Sequence, residues 1–178
     1  MVKRKSGTKR ELAPSSVPVD GGDDLSMVRH FVWTVGSIGV HLYEIQHVWA
    51  KTLGISAPQW MILMALSDFD KGQGVPVNEV AKVLHVDPSF VTTQSKLLEK
   101  KGFVRRKASD VDARIVRMSL TDKTCKQLSN LCGQQEALYE FVFSGLSGRE
   151  FEDLLKGLSL LKSRLQKASI MAGLEVSK

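Results

Sequence analysis

The chain has 178 residues, of which 43% are hydrophobic and 25% are charged, a composition typical of a soluble globular protein. At about 150 residues per domain this length predicts one domain with an appendage, and no run approaches the ~20 apolar residues that span a membrane. The 25 Lys and Arg residues outnumber the 19 Asp and Glu residues, and the resulting net charge of +6 permits a polyanionic partner without requiring one.

The N-terminal segment, the cysteines and the histidines bear on compartment and cofactors. No apolar segment or small-residue cleavage site follows the basic first ten residues, so we expect a protein that is not secreted. Cys125 and Cys132 are too few for a disulfide framework or a zinc finger. We therefore expect buried, inert thiols and a cytoplasmic location. His30, His41 and His47 are scattered along the chain, so we expect no metal site and no cofactor.

Residues 1–24 contain two prolines, a pair of adjacent glycines and few large apolar side chains, which predicts a disordered N-terminal arm. Its basic residues allow two interpretations, a contact with DNA or, more commonly, a solvated tail. The globular domain is predicted over residues 25–168, and residues 169–178 form a C-terminal tail.

Two helices are predicted before residue 70. Apolar residues recur every three or four positions over residues 26–53, which indicates one long helix with a single apolar face, and Gly54 is a suitable left-handed cap for its end. Ser56 and Gln59 then form the pattern of a capping box, with Pro58 in the first turn of a second helix. Because this second helix is apolar nearly all round, we expect it at the centre of the core.

Residues 77–101 have the proportions of a helix-turn-helix. A short helix over residues 77–84 is followed by a tight turn and by a second helix, for which Asp87 is the predicted N-cap and Pro88 the first residue. Val91, Leu97 and Leu98 are expected on its core side.

Residues 103–120 are predicted to form a β-hairpin, because two strand-like segments flank a polar loop and the second segment alternates with a period of two. Between residues 96 and 117, eight basic residues stand against three acidic ones, so this segment alone carries a charge of +5. A helix-turn-helix followed by a basic hairpin is a winged helix, with the hairpin as its wing. The predicted fold class is therefore mainly α with a small β-hairpin wing.

The last third of the chain is predicted to be helical. Thr121 caps a helix that ends near Phe143, and Ser147 to Glu150 form a capping box that opens another helix. The apolar stripes of these helices and of the first helix exceed what a small winged-helix core covers. We therefore expect residues 26–53 and 122–168 to be the dimerisation helices of a homodimer.

Six short segments form one pattern of order and spacing along the chain: Asn78–Leu84, Val86–Thr92, Leu98–Gly102, Arg105–Arg106, Ser109–Arg114 and Leu120–Thr121. In this order and spacing they resemble the MarR-type winged-helix transcriptional regulators, over about residues 27–168. The resemblance implies a homodimer that binds double-stranded DNA at a pseudo-palindromic operator, with intertwined terminal helices and two winged helices on one face. The chain departs from the family pattern at Pro76, Thr93, Lys96 and Thr124.

The second helix of the helix-turn-helix and the wing supply the predicted DNA contacts. In the resembling family, the arginine of an Asp-x-Arg pair enters the minor groove while the aspartate holds its guanidinium, and Asp112 and Arg114 fit this pattern. The alternative is an ion pair that merely stiffens the loop. The predicted DNA-binding residues are Ser89, Phe90, Thr92, Thr93, Gln94, Lys96, Lys101, Arg105, Arg106, Asp112 and Arg114.

Aromatic residues and methionines are concentrated in the first two helices, and two interpretations stay open. They form the core and the dimer interface, or they line the effector pocket that the resembling family places there. For the second interpretation we expect a small aromatic carboxylic acid, or its coenzyme A (CoA) thioester, that releases a repressor from its operator. The candidate effector residues are Trp33, His41, Tyr43, Trp49, Trp60 and Met64.

The sequence contains no phosphate-binding glycine loop, no nucleophile elbow and no His-Glu-x-x-His motif, so no catalytic residue is predicted. The alternative to a DNA-binding regulator is a winged-helix dimer that binds proteins or serves a structural purpose. The charge of +5 around the wing favours DNA.

Overall fold

The computed structural model describes residues 22–176, so residues 1–21 of the predicted arm lie outside the described residues. The predicted fold class is confirmed: a helix-turn-helix and a small sheet are flanked by long N- and C-terminal helices. In chain order the elements are α1 (Gly22–Thr52), α2 (Ala57–Phe69), β1 (Val75–Pro76), α3 (Val77–Leu84), α4 (Pro88–Lys100), β2 (Val104–Ala108), β3 (Val116–Leu120), α5 (Asp122–Phe143) and α6 (Gly148–Val176).

Both terminal helices are longer than the sequence pattern predicts. Helix α1 starts at Gly22 rather than near residue 26. Helix α6 continues to Val176, through residues predicted as a tail. The sequence permits this extension, because residues 169–176 contain no proline and half of them are good helix formers.

The corner between α1 and α2, residues 53–59, has the predicted caps. Gly54 adopts a φ of +67°, which a side chain would strain. The Ser56 hydroxyl accepts the Gln59 backbone N–H at 3.4 Å, and the Ser56 N–H donates to Gln59 Oε1 at 3.2 Å. This capping box satisfies two donors at the start of α2 and fixes the orientation of the Gln59 amide.

Helix α2 lies at the centre of the core, as predicted, because it packs against α1, α3, α4 and β3. The helix-turn-helix is also confirmed: His85 takes a left-handed conformation between α3 and α4, and Asp87 caps α4 by accepting the Ser89 N–H at 2.7 Å. The largest fully buried apolar side chains are Ile62, Leu63, Leu66, Val80, Val91, Leu98, Val104 and Met118.

The sheet has three antiparallel strands in the order β1-β3-β2, and the sequence pattern predicts only two of them. Strand β1 is two residues long and includes Pro76, so it carries no alternation that a sequence pattern could reveal. Val75 pairs with Met118, the buried residue at the middle of β3, whose other neighbour is Arg106 in β2. These pairings attach the wing to the start of the helix-turn-helix.

A buried hydroxyl ties α5 to the end of the helix-turn-helix. Thr124, where the resembling family has glycine, is fully buried, and its Oγ1 donates to the Phe103 carbonyl at 2.7 Å. The Thr121 hydroxyl donates to the Gly102 carbonyl at 2.9 Å. These two bonds fix the beginning of α5 against the segment that leads from α4 into the wing.

Helices α1 and α6 leave many large apolar side chains exposed. On α6 these include Leu154, Leu158 and Leu165, and on α1 they include Val32 and Ile38. None of the helices within residues 22–176 is both long and apolar enough to cross a membrane.

Candidate nucleic-acid interface

Helix α4 has one buried face and one exposed face. Val91, Ser95 and Leu98 are fully buried, and their spacing of four and three residues is that of a single helix face. Leu97, predicted to lie in the core, is 45% exposed, so that prediction is wrong. The residues available on the exposed face and at its edge are Ser89, Phe90, Thr92, Thr93 and Lys96.

Gln94, predicted to be exposed and to face DNA, lies instead beside the buried face of α4. Its Oε1 accepts a hydrogen bond of 3.1 Å from Nε2 of Gln59, which is only 5% exposed. The sequence pattern could not reveal this contact because the partner lies 35 residues away in the chain. Gln94 therefore joins α4 to α2.

Two of the predicted DNA-binding residues have protein partners in this structure. The Lys101 Nζ donates to the Gly54 carbonyl at 2.8 Å. Arg105 forms an ion pair of 3.0 Å with Asp122, in which both side chains are largely exposed. An exposed pair of this kind is worth little, so Arg105 can exchange it for a phosphate at small cost. For Lys101, the bond to the α1–α2 corner uses one of the three N–H donors of its ammonium group.

At the wing tip, Asp112 organises the backbone rather than the arginine head group. Its Oδ1 accepts the backbone N–H of Arg114 at 2.9 Å, and its carbonyl accepts the N–H of Ile115 at 2.9 Å. Among the described residues there is no ion pair between the Asp112 and Arg114 side chains, so the expectation that Asp112 holds the guanidinium is wrong for this structure. Arg114 is exposed at the end of a turn that Asp112 shapes.

The wing and the helix-turn-helix together border a small notch of about 180 Å³. Thr92 of α4, Asn78 of α3, Arg106 of β2 and Arg114 of the wing all line it. The Arg106 Nε is buried and has no hydrogen-bond partner. Two guanidinium groups, an amide and a hydroxyl suit an anion such as a backbone phosphate. Asn78 is not among the predicted site residues, and only the tertiary packing reveals it.

The N-cap of α4 is Asp87, whose carboxylate is stabilised by hydrogen bonds from Ser89. Hydrogen bonds from the Ser89 side chain, and then from its backbone N–H, lower the pKa of Asp87 below its ordinary value. Asp87 therefore stays ionised and complements the positive end of the α4 dipole.

A second cavity, of about 470 Å³, lies between α1, α2 and α5. Trp49, Trp60 and Met64 of the predicted effector residues line it, together with Tyr139 and Phe143 of α5. These two aromatic residues are not among the predicted effector residues, because the sequence pattern predicts only a dimerisation role for α5. The signal in the sequence that could indicate them is the spacing of Leu138, Tyr139, Val142 and Phe143, which places all four on one side of α5.

The other three candidate effector residues lie outside the lining of this cavity. Trp33 is 79% exposed on α1. His41 contacts Glu44, with 3.1 Å between Nδ1 and Oε2. Tyr43 borders a separate shallow groove, which it shares with Phe90. The predicted effector cluster is therefore divided between different surfaces of the chain.

Aromatic and aliphatic side chains line most of the cavity, and its uncharged polar side chains include Gln46, Ser67 and Gln135. The Trp49 Nε1 is buried without a hydrogen-bond partner. Of the described residues that line the cavity, Asp68 is the one charged side chain, and none is Lys, Arg or His. Cys132 also lines it and, like Cys125, is exposed, so the prediction that both thiols are buried is wrong. Within residues 22–176, no His, Cys, Asp and Glu side chains group as metal ligands do.

The helix-turn-helix, the three-stranded sheet with its hairpin wing and the long terminal helices define a winged helix-turn-helix protein. Comparison with known sequences agrees. The model of the MarR family matches residues 55–116. The HTH-type transcriptional regulator YfiV of Bacillus subtilis is 31% identical over 120 residues, which are 67% of this chain and 72% of that protein. The chain therefore belongs to the MarR family, whose members are transcriptional regulators and not enzymes.

Two further proteins are similar. The transcriptional repressor MprA of Escherichia coli is 27% identical over 124 residues, 70% of either chain. The crystal structure of a complex of MepR from S. aureus with DNA has a TM-score of 0.65 at 20% identity, and the match covers 75% of this chain and 97% of that one. At this identity the structural match concerns the fold.

Proposed function

We propose that this chain is a homodimeric, sequence-specific DNA-binding repressor. The observation that carries the proposal is the notch, where Thr92 on the outer side of α4 and Arg114 at the wing tip border one anion-sized space. When α4 lies in the major groove as the recognition helix, the wing lies over the adjacent DNA backbone and minor groove. The names of similar proteins, a repressor and a DNA complex among them, support the same function.

The division of contacts follows from the site. Thr93 and Lys96 on the exposed face of α4 reach base edges or phosphates. Arg106 and Asn78 hold a backbone phosphate in the notch, and Arg114 extends into the minor groove, where narrow, negative grooves attract arginine. For a homodimer, the operator is a pseudo-palindrome whose half-sites lie about one helical turn, ~10–10.5 bp, apart or a multiple of it.

The homodimer is proposed because α1 and α6 expose apolar stripes along most of their length. Leu154, Leu158 and Leu165 are 45%, 43% and 56% exposed in the single chain. Because these side chains are already about half buried in the single chain, burying the exposed remainder of each stabilises an assembly by roughly half of the 1.5–3 kcal/mol that a fully exposed side chain would contribute. Sedimentation of the full chain at micromolar concentration tests this step, and a stable monomer would contradict it.

The DNA test starts from a random-sequence duplex pool, from which the wild-type protein enriches its own operator. Arg114→Ala should weaken binding to that operator by about 1–3 kcal/mol. Arg149→Ala, which removes the same charge from the first turn of α6, is the matched control and should change affinity little. If the two substitutions weaken operator binding equally, the effect of Arg114 is only non-specific electrostatic attraction. The proposed role of the wing in operator binding would then be wrong.

For the effector, the chemistry of the cavity separates the two predicted ligands, the aromatic acid and its thioester. A free carboxylate would enter a space lined by Asp68 and by no described cation, which disfavours it. The carbonyl of an aromatic thioester is neutral and can accept the unpartnered Trp49 N–H. Aromatic walls from Trp60, Tyr139 and Phe143 suit the ring. We therefore propose an aromatic acyl-CoA thioester as the inducer.

The effector test compares benzoyl-CoA, benzoate and CoA in titrations of the protein–operator complex. Benzoyl-CoA should release DNA and quench tryptophan emission at lower concentration than either of the others. Trp49→Phe keeps the aromatic wall but removes the N–H, so it should weaken the benzoyl-CoA response when that response is measured relative to the variant's own operator affinity. Equal potency of benzoate would contradict the preference for a neutral carbonyl.

The alternative is a winged-helix dimer without specific DNA binding. It predicts that no duplex is enriched from the pool and that any DNA affinity depends on salt alone. The same enrichment experiment therefore separates the two functions.

A further inference from the structure

Helix α4 is tied to the α1–α2 corner at two points by side-chain hydrogen bonds. Near its middle, Gln94 Oε1 accepts from Gln59 Nε2 at 3.1 Å, and just beyond its C-terminal end Lys101 Nζ donates to the Gly54 carbonyl at 2.8 Å. Gln94 and Lys101 are seven residues apart, about 10.5 Å along the helix. Two attachment points at this separation fix the tilt of α4 as well as its position.

The orientation of the first tether is set by the backbone. The Ser56 N–H can only donate, so the Gln59 oxygen must face it, and the Gln59 amide nitrogen must face Gln94. Both functions of the Gln59 amide are therefore used, one on the cap of α2 and one on α4. A shift of the cap moves the point at which α4 is held.

The same corner joins two walls of the aromatic cavity. Trp49 lies in the last turn of α1, where its carbonyl accepts the Thr52 hydroxyl at 2.7 Å. Trp60 follows Gln59 directly, is 2% exposed, and donates its backbone N–H to the Ser56 carbonyl. Because packed interiors transmit displacement, a change at either tryptophan reaches the corner within one helical turn.

We propose that Gln59 and Lys101 are positioning residues that couple the aromatic cavity to α4 through the α1–α2 corner. The tethers hold α4 in the orientation that engages DNA, and a cavity occupant that displaces the corner releases it. This inference rests on the proposed DNA-binding function. It concerns how α4 is held, and it does not depend on which ligand fills the cavity.

Coupling between two sites is reciprocal, so DNA bound to α4 must in turn affect the cavity. The readout is therefore the emission of Trp49 and Trp60 during titration with the operator enriched by the wild-type protein. A Trp33→Phe background removes the exposed tryptophan, so the remaining signal comes from the cavity walls. No effector is needed for this measurement.

The tethers are removed by Gln94→Met and Lys101→Met, singly and together. Gln94→Met keeps the side-chain length and leaves the capping box of Ser56 and Gln59 intact. Lys100→Met is the matched control, because Lys100 is an adjacent exposed lysine with no side-chain hydrogen bond among the described residues. Lys101→Arg keeps a donor that can reach the Gly54 carbonyl and should preserve the coupling.

In the Trp33→Phe background, operator DNA should shift the tryptophan emission. The double variant should bind the operator roughly two- to ten-fold more weakly for each tether removed, and the emission shift should disappear. Each single variant should lose part of it, and Lys100→Met and Lys101→Arg should retain it. Thermal unfolding and sedimentation confirm that each variant is folded, and the exposed Lys101→Met carries the test if the double variant is not.

An unchanged emission shift in folded tether variants would overturn the coupling, as would a background protein that binds its operator without any shift. If the wild-type protein enriches no duplex, the proposed function itself has failed, and this inference fails with it. The two failures are distinguished by operator binding of the wild-type chain.

Discussion

The role of Asp112 at the wing tip can be tested by comparing two substitutions. Asp112→Asn keeps an Oδ1 that can accept the Arg114 N–H but removes the negative charge. Asp112→Ala removes both. In the structure the carboxylate accepts this backbone N–H at 2.9 Å and makes no ion pair with the guanidinium among the described residues. The two substitutions should therefore differ in their effect on DNA binding.

The expected magnitudes follow from the geometry. One net hydrogen bond of the turn is worth about 0.5–1.5 kcal/mol, and its loss reduces the pre-organisation of Arg114, whose own groove contact is worth about 1–3 kcal/mol. Asp112→Ala should thus weaken operator binding by about 1 kcal/mol, roughly five-fold. Asp112→Asn should bind as tightly as wild type or slightly more tightly, because it removes a negative charge near the phosphates.

The assay is fluorescence anisotropy with the enriched operator at one fixed salt concentration, repeated in an Arg114→Ala background. If Asp112 acts only by placing Arg114, the Asp112→Ala substitution should cost nothing in that background, and the double-mutant cycle returns the whole effect as coupling. If Asp112→Asn weakens binding as much as Asp112→Ala, the charge of the carboxylate matters and the turn-shaping role is refuted.

Three further predictions concern the stability and assembly of the fold. Thr124→Val removes the buried hydroxyl that donates to the Phe103 carbonyl, and should lower the free energy of unfolding in urea by about 1 kcal/mol, because that carbonyl keeps a backbone donor; a loss near 3 kcal/mol would contradict this. Bonds from Ser89 lower the pKa of Asp87, so the stability advantage of wild type over Asp87→Ala should be complete above the ordinary value of 3.8 and should shrink as the pH falls through the lowered pKa; a pH-independent difference in urea titrations would refute the cap. Leu158→Asp should shift the full chain towards monomer in sedimentation, because it places a charge on the exposed stripe of α6, and an unchanged dimer would exclude that stripe from the interface.

The parts of the fold that the sequence predicts are those decided by neighbours in the chain. The capping box at Ser56, the cap at Asp87 and the turn that includes His85 depend on residues within four positions, and all three have the expected geometry. The periodicity that places α2 in the core is equally local. For these elements, tertiary packing had only to bring together segments whose ends the sequence already indicates.

Three predictions about particular residues and strands fail where a contact, and not a sequence pattern, decides the structure. Gln94 carries an amide that can pair with a base. Only its hydrogen bond to Gln59, 35 residues away in the chain, shows that the side chain joins α4 to α2 instead. Strand β1 exists because Val75 meets Met118, a partner that no local pattern reveals. Asp112 illustrates a third case, in which the predicted residue is in the expected place but its carboxylate binds the backbone. At Asp112 the family pattern identifies the position, and the hydrogen bonds decide what the side chain does there.

The two sides of α4 have separate roles, one towards DNA and one towards the rest of the chain. Helix α4 is 13 residues long, and its buried face and the adjacent Gln94 are committed to the core and to the α1–α2 corner. Thr93 and Lys96 on the opposite side touch none of these groups, so they can change with the operator while the attachment of the helix stays the same. The departures from the family pattern at Thr93 and Lys96 fall on this exposed side. Recognition can therefore vary independently of the contacts through which the cavity would act on α4.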